Sequence, residues 1–137
     1  MDEEDIEFFN EDIRKIDKIE NFVMEIGGVL VHVYKQAISP AFQGLLHHFG
    51  TTLFSLQGKK DYEILNAVCF FCDVIEYGGD DLFSVTADKA GEKFIECIQT
   101  FPEDRSLIQS AGYGLGAIAK RAPNGHFSHL AKTLQVF

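Results

Sequence analysis

The 137-residue sequence is poor in several residue types, and each shortage narrows what the chain can be. It has no tryptophan and only 3 prolines, so few backbone N–H donors are missing and long helices are permitted. The cysteines Cys69, Cys72 and Cys97 are too few for a disulfide framework, which favours a reducing compartment. No apolar run reaches the roughly 18 residues that a membrane span needs.

Basic residues are scarce at the start of the chain. Seven acidic residues and no basic one occur in residues 2–12, and the whole sequence carries a formal net charge of -9. An acidic start of this kind is unlike a secretory or mitochondrial signal, and we expect residues 1–10 to form a solvated acidic linker. The charge disfavours binding to a phosphate backbone and permits basic protein partners.

Apolar residues recur at three- and four-residue steps along the chain, which is typical of amphipathic helices. We expect Asn10 to cap the first helix. No segment alternates polar and apolar residues as a strand would, and short connections indicate antiparallel neighbours. The pattern predicts an all-α protein with six helices, over about 11–37, 40–56, 62–77, 82–99, 103–120 and 126–137.

The predicted helices repeat one another. A shift of 41 residues places Ala67 on Ile26 and Phe70 on Val29, and a shift of 43 residues places Ile64 on Leu107. A period in the low forties with two helices in each unit is typical of HEAT or armadillo solenoids. The pattern predicts a right-handed α-α superhelix of stacked helix pairs in the order B-A-B-A-B-A. We expect it to be a piece of a longer array whose open apolar ends self-associate.

Two segments at the matching distance resemble the importin-β (karyopherin-β) family, most nearly the C-terminal half of the importin beta-3 type. Cys72-Asp-Val-Ile-Glu-Tyr77 is similar to the family's D-D-V-I-E-H/Y segment, and Ser110-Ala-Gly-Tyr-Gly-Leu-Gly116 to its A-A-Y-G-L-G segment. The resemblance covers nearly all of the chain after Asn21. It implies a HEAT-repeat receptor of cytoplasm, nucleus and nuclear pore that wraps cargo, releases it on binding Ran-GTP, and meets Phe-Gly nucleoporins on its A-helix face.

B helices line the inner face of HEAT arrays, so their residues facing away from the A helices are the candidate protein-binding positions. The acids Asp73 and Glu76 suit cargo proteins with basic segments, and a solvated helix face is the alternative. The row Glu25, Asn66 and Gln109 is expected to run across the repeats. The full set of candidates is Glu25, Val29, His32, Gln36, Asn66, Phe70, Asp73, Glu76, Tyr77, Gln109, Tyr113, Gly116 and Lys120.

Other motifs have structural explanations. The C-x-x-C of Cys69 and Cys72 falls within a helix, where thiols usually pack, and it lacks further zinc ligands. The adjacent His47 and His48 point about 100° apart on a helix. His126 and His129 lack a partner. The pattern from Gly112 to Ala117 follows a helix and not a strand, so we expect helix packing and not dinucleotide binding.

No nucleophile with a paired base is evident, and we expect no catalytic residue, cofactor or metal. The leading hypothesis is therefore a fragment of a nucleocytoplasmic transport receptor, which is not an enzyme and binds neither nucleic acid nor membrane. The alternative hypothesis is a structural HEAT scaffold subunit of a phosphatase or chromatin complex. An enzyme hidden in a helical fold is a third hypothesis.

Overall fold

The structure is a computed structural model that describes the backbone of residues 2–34, 40–122 and 130–136, and the side chains of residues 2–29, 43–122 and 132–136. These residues form six α-helices and no strand, which confirms the all-α prediction. The helices are α1 (Glu3–Tyr34), α2 (Pro40–Leu53), α3 (Asp61–Tyr77), α4 (Asp80–Thr100), α5 (Arg105–Arg121) and α6 (Leu130–Val136).

The first helix begins earlier than the sequence pattern predicts. It starts at Glu3 and not at Glu11, so residues 3–10 are helical where an acidic linker was expected, and Asn10 is not a cap. The Asp2 carboxylate caps it instead, since its Oδ1 accepts a hydrogen bond from the Asp5 amide at 2.9 Å. Acidic side chains in a first turn also interact favourably with the helix dipole, which explains how this segment can be helical.

The other boundaries within the described residues agree with the predictions to within a few residues, and the predicted end of the first helix at Ala37 lies outside them. Asp104 caps α5, because its Oδ1 accepts a hydrogen bond from the Leu107 amide at 3.0 Å. Lys60 occupies the cap position of α3, and its amide donates to Glu63 Oε2 at 2.8 Å. Gly58 turns the chain before α3 with a positive φ of 75°, a conformation that favours glycine. The predicted start of the sixth helix at His126 lies outside the described residues.

Helix α3 is at the centre of the packing. It contacts α1 and α5 with its flanks, and also α2 and α4, while α4 packs in turn on α5 and α6. Its apolar residues are almost all buried, among them Ile64, Val68, Val74 and Ile75. The odd-numbered helices therefore follow one another across the molecule, with α3 between α1 and α5.

Aromatic side chains fill the space between α3 and its neighbours. Phe70 stacks on Phe49 of α2 with ring centroids 4.7 Å apart, and Phe54 meets Phe71 edge to face at 5.8 Å. Phe49, Phe70 and Phe94 of α4 are completely buried. Aromatic burial of this extent dominates the energetics of a small core.

Candidate protein-binding face

Glycines allow α1 and α5 to approach α3 closely from its two sides. A Cβ on Gly27 of α1 would meet the Phe70 ring at 2.7 Å, and one on Gly28 would overlap the Asp73 carboxylate. On α5, a Cβ on Gly114 would lie 2.8 Å from the Cys72 sulfur. The side chains of α3 thus pack against bare backbone on both flanks, and this fixes the spacing of the candidate face.

A direct hydrogen bond connects α3 and α5 at the surface. The Tyr113 hydroxyl donates to Glu76 Oε2. Tyr113 is 55% exposed, so the pair lies where a partner could reach it. The hydrogen bond to Glu76, followed by partial burial, raises the pKa of Tyr113 to about 12. An aromatic ring is therefore positioned beside a carboxylate, an arrangement that suits lysine or arginine side chains.

Glu25, Asp73 and Glu76 bring acidic groups to α1 and α3. Glu25 is exposed, while Asp73 and Glu76 are half-buried. Asp73 lies against the α1 backbone at Gly28 and so depends on both helices for its position. Tyr77 is half-buried at the C-terminal end of α3. Three carboxylates and two tyrosines are thus placed on adjacent helices.

Two of the predicted site residues do not belong to an exposed face. Phe70 is fully buried and stacks on α2, so the prediction that it faces away from the even-numbered helices is wrong. Asn66 is only 5% exposed, and its Nδ2 donates to Asn21 Oδ1 of α1 at 2.8 Å. The neighbouring helix α1 covers this flank of α3. The spacing of apolar residues along one helix does not show which of its flanks a neighbouring helix will cover.

Some of the remaining candidates are exposed, and the side chains of others lie outside the described residues. The side chains of His32 and Gln36 lie outside the described residues. Gln109, Tyr113, Gly116 and Lys120 are exposed along α5, and Val29 of α1 is 62% exposed. The row Glu25, Asn66 and Gln109 is interrupted at Asn66. We call the surface that remains the acidic face; it comprises Glu25, Asp73, Glu76, Tyr77, Gln109 and Tyr113.

Sequence reasoning missed the role of Arg121. This last residue of α5 reaches the end of α3, where its Nη1 donates to the carbonyl oxygens of Ile75 at 2.6 Å and Gly78 at 2.7 Å. Its Nη2 donates to Asp80 Oδ1 at 3.1 Å, and its guanidinium lies 4.5 Å from the centroid of the Phe83 ring. One side chain therefore caps α3 and holds the first turn of α4. In the sequence, the position of Arg121 in the last turn of a helix was the only indication of a capping role.

An acidic cluster at the junction of α1, α2 and α3 was also not predicted. Burial, followed by the nearby charges of Glu63 and Asp17, raises the pKa of Glu20. His48 Nε2 lies 3.9 Å from Glu20 Oε1 and opposes this effect in part. Burial and a hydrogen bond to Asp17 raise the pKa of Tyr62 to about 12.

The cysteines form no disulfide. Cys72 is buried and donates from Sγ to the Ser110 carbonyl at 3.3 Å, and Cys69 Sγ lies 3.8 Å from Ser110 Oγ. Burial raises the pKa of both thiols. Both side chains thus contact α5 on one flank of α3.

The glycine pattern serves helix packing in part, and His48 packs on a neighbouring ring. Gly114 packs closely on Phe94 and Cys72, as expected for helix packing, whereas a Cβ on Gly116 would meet no atom within 4 Å. His48 packs its ring edge on Phe49. His126 and His129 lie outside the described residues. In the described part of the chain, no three His, Cys, Asp or Glu side chains come together as a metal site.

No helix in the ranges that the structure describes combines the length and apolarity of a membrane span. Comparison of the chain with protein-family models, with curated proteins and with solved structures finds no match.

Proposed function

We propose that this chain belongs to a HEAT-repeat nuclear transport receptor of the importin-β (karyopherin-β) type and binds protein partners. The proposal starts from the resemblance of two segments, from Cys72 to Tyr77 on α3 and from Ser110 to Gly116 on α5. In this proposal the chain is a binding module of cytoplasm and nucleus, without a cofactor and without catalytic residues.

The observation that carries the proposal is the sideways succession of the odd-numbered helices. Helix α3 packs between α1 and α5, while α2 and α4 pack beside it. The predicted 43-residue shift agrees with burial at two positions of α3 and α5, because Ile64 and Leu107 are both buried and so are Ile75 and Ile118. Repeated helix pairs that pack on their neighbours in one direction support a right-handed HEAT superhelix.

The acidic face is the proposed cargo surface. Glu76 offers a carboxylate beside the Tyr113 ring, Asp73 offers a second against α1, and Glu25 adds a third acid on α1. An extended segment rich in lysine or arginine could form charge-assisted hydrogen bonds here and place its cations on the aromatic rings. The affinity for cargo would come from many weak contacts along the array and not from one deep pocket.

A groove between α2 and α4 is the proposed contact for Phe-Gly nucleoporins. It has a volume of about 900 Å³ and includes Leu46, Phe54, Phe71 and Val85 in its lining. Phe54 is 42% and Val85 is 68% exposed, so apolar surface is accessible there. A single phenylalanine ring fits a groove of this size and lining. Ran-GTP would bind mainly elsewhere in the full receptor.

Titration of labelled peptides into the chain tests both surfaces. A basic nuclear-import peptide should bind at micromolar strength, and Asp73→Asn with Glu76→Gln should weaken it by about tenfold, the equivalent of 1.4 kcal/mol. The matched control Glu92→Gln changes an exposed acid on α4 and should leave binding unchanged.

A Phe-Gly repeat peptide should bind the groove, and Val85→Asp should abolish that binding because it replaces exposed apolar surface of the groove with a charge. A Ser-Gly peptide is the control. If neither the basic nor the Phe-Gly peptide binds at micromolar strength, the transport proposal is wrong and a structural HEAT scaffold becomes the better explanation.

A further inference from the structure

We propose that the face of α1 turned away from α3 binds a basic amphipathic helix of a partner protein. Four apolar side chains on this face form what we call the α1 stripe: Ile19, Phe22, Ile26 and Val29. They are spaced three or four residues apart and are 62%, 62%, 58% and 62% exposed, respectively. Apolar residues at this spacing form one continuous line along a helix.

The position of the stripe follows from the residues that contact the core. Asn21, Met24 and Gly28 are directed at α3 or packed on the core, and each follows a stripe residue by two positions. Two positions along an α-helix correspond to a rotation of about 200°. The stripe therefore points away from α3. Helix α1 has apolar side chains on two opposite sides, of which the side toward α3 is covered.

The internal repeat indicates what kind of element fits the stripe. A shift of 41 residues places Ile26 on Ala67 and Val29 on Phe70 of α3. Both α3 residues are fully buried, and Gly27 of α1 lies directly against the Phe70 ring. The corresponding surface on α3 is thus covered by an α-helix, and we infer that the α1 stripe is shaped for one as well.

Charge indicates what that helix must carry. The residues that precede the stripe include Glu3, Glu4, Asp5 and Glu7, which are exposed on the first two turns of α1. Farther on, Lys15 lies 3.6 Å from Glu11 and 3.8 Å from Asp12, so a cation neighbours those two acids. Lysine or arginine residues beside these first turns would be attracted, and a second copy of this acidic chain would be repelled.

The exposed area is of the right size for a single helix. Four side chains that are each about six-tenths exposed present on the order of 400 Å² of apolar surface. That is within the size of apolar patches that mark interaction sites on proteins, and below what a stable homodimer usually buries. The α1 stripe and the acidic first turns together fit an amphipathic partner helix. Its apolar residues would contact the stripe, and a cluster of positive charges at its other end would lie beside the acidic turns.

Fluorescence anisotropy with two designed peptides of about 27 residues tests the proposal, since a helix of this length spans the acidic turns and the stripe. Both peptides carry leucines at the spacing of the stripe; one has lysines and the other glutamates over the acidic turns. We expect the lysine peptide to bind at least about tenfold more tightly and to lose that advantage at high salt. Equal binding of the two peptides, or no binding, would overturn the proposal.

Three variants locate the site, with folding checked by circular dichroism. Ile26→Asp should weaken the lysine peptide at least about tenfold, since it puts a charge into the apolar contact. The combined change Glu4→Gln, Asp5→Asn and Glu7→Gln should weaken it severalfold and reduce its salt dependence. Leu134→Asp replaces an apolar residue on α6 that is 70% exposed and should have no effect.

Light scattering of the unliganded chain separates this partner from a second copy. A mass that remains monomeric across protein concentrations supports the proposal. A dimer that Ile26→Asp dissociates, while Leu134→Asp does not, would show that the stripe binds its own copy and would overturn the proposal. These outcomes do not depend on the acidic residues of α3 or on the groove between α2 and α4.

Discussion

The Cys72 sulfur on α3 lies against the backbone of Gly114 on α5, so closely that a Cβ on Gly114 would come within 2.8 Å of it. The same Cβ would also overlap the Phe94 ring of α4. Gly114 is therefore the point at which three helices meet with no room for a methyl group. Gly116, one half-turn further along the same helix, has open space around it.

This difference gives a matched pair of substitutions. Gly114→Ala should destabilise the fold by about 1–3 kcal/mol, because Phe94 is buried and cannot move away without loss of packing. Gly116→Ala should stabilise it by up to about 1 kcal/mol, since alanine favours the helix and meets nothing. Urea unfolding measures both. A Gly114→Ala variant as stable as Gly116→Ala would contradict the close approach.

Arg121 should contribute more to stability than a surface arginine. Arg121→Gln removes the donors to the carbonyls of Ile75 and Gly78, and we expect a loss of about 1–3 kcal/mol in the free energy of unfolding. The adjacent Lys120→Gln is the control and should have little effect, because Lys120 is exposed.

Asp80→Asn separates the two contributions of Arg121. The Asp80 side chain is fully exposed, so its ion pair with Arg121 should add little to stability. An effect of Asp80→Asn as large as that of Arg121→Gln would show that the ion pair, and not the capped carbonyls, stabilises this junction.

Glu20 makes the stability of the fold depend on pH. Its pKa is raised in the folded chain above the ordinary value of 4.5, so the group favours folding most below that pH, and this contribution is lost as the pH rises through the folded-state pKa. Glu20→Gln should therefore stabilise the protein near neutral pH, with a gain that shrinks below pH 4.5. Thermal unfolding of both proteins across this range measures the effect.

The exposed Glu25→Gln on the same helix is the control for Glu20, and its effect on stability should be small at every pH. A Glu20→Gln variant that is less stable than the natural chain at neutral pH would indicate that the interaction of Glu20 with His48 outweighs its burial.

The three thiols should react slowly in the folded protein. Burial raises the pKa of Cys69 and Cys72, and it raises the pKa of Cys97 to about 12, so little thiolate is present at neutral pH. A thiol-specific chromogenic reagent should label Cys69 first, because it is half-buried while the other two are buried. Cys69→Ser should remove the fastest phase. Rapid labelling of all three in native buffer would contradict the packing around α3.

Much of the fold was predictable from apolar spacing, because an amphipathic helix must bury one stripe wherever it lies. The spacing around Ile64 and Val68, and around Leu107 and Ile118, predicted α3 and α5 to within two residues at each end. The start of α1 was not predictable in this way, because its first two turns are exposed and depend on the Asp2 cap and the helix dipole.

The candidate site was predicted less well than the helices. Glu76 and Tyr113 were both selected as candidates, but their hydrogen bond joins positions 37 residues apart, which periodicity does not align. Phe70 and Asn66 were assigned to the wrong environment, because a residue at the edge of a stripe is buried or exposed according to the neighbour beside it. Arg121 was missed because its carbonyl acceptors are on another helix.

The sequence alone determined that the chain is helical, where its turns fall and which residues need burial, since these depend on contacts within a few residues. Only the tertiary structure decided which flank of each helix is covered, that Gly28 and Gly114 admit Asp73 and Cys72, and that the α1 stripe remains open. The reason is that local spacing sets the apolar pattern of a helix, whereas burial depends on helices that lie far away in the chain.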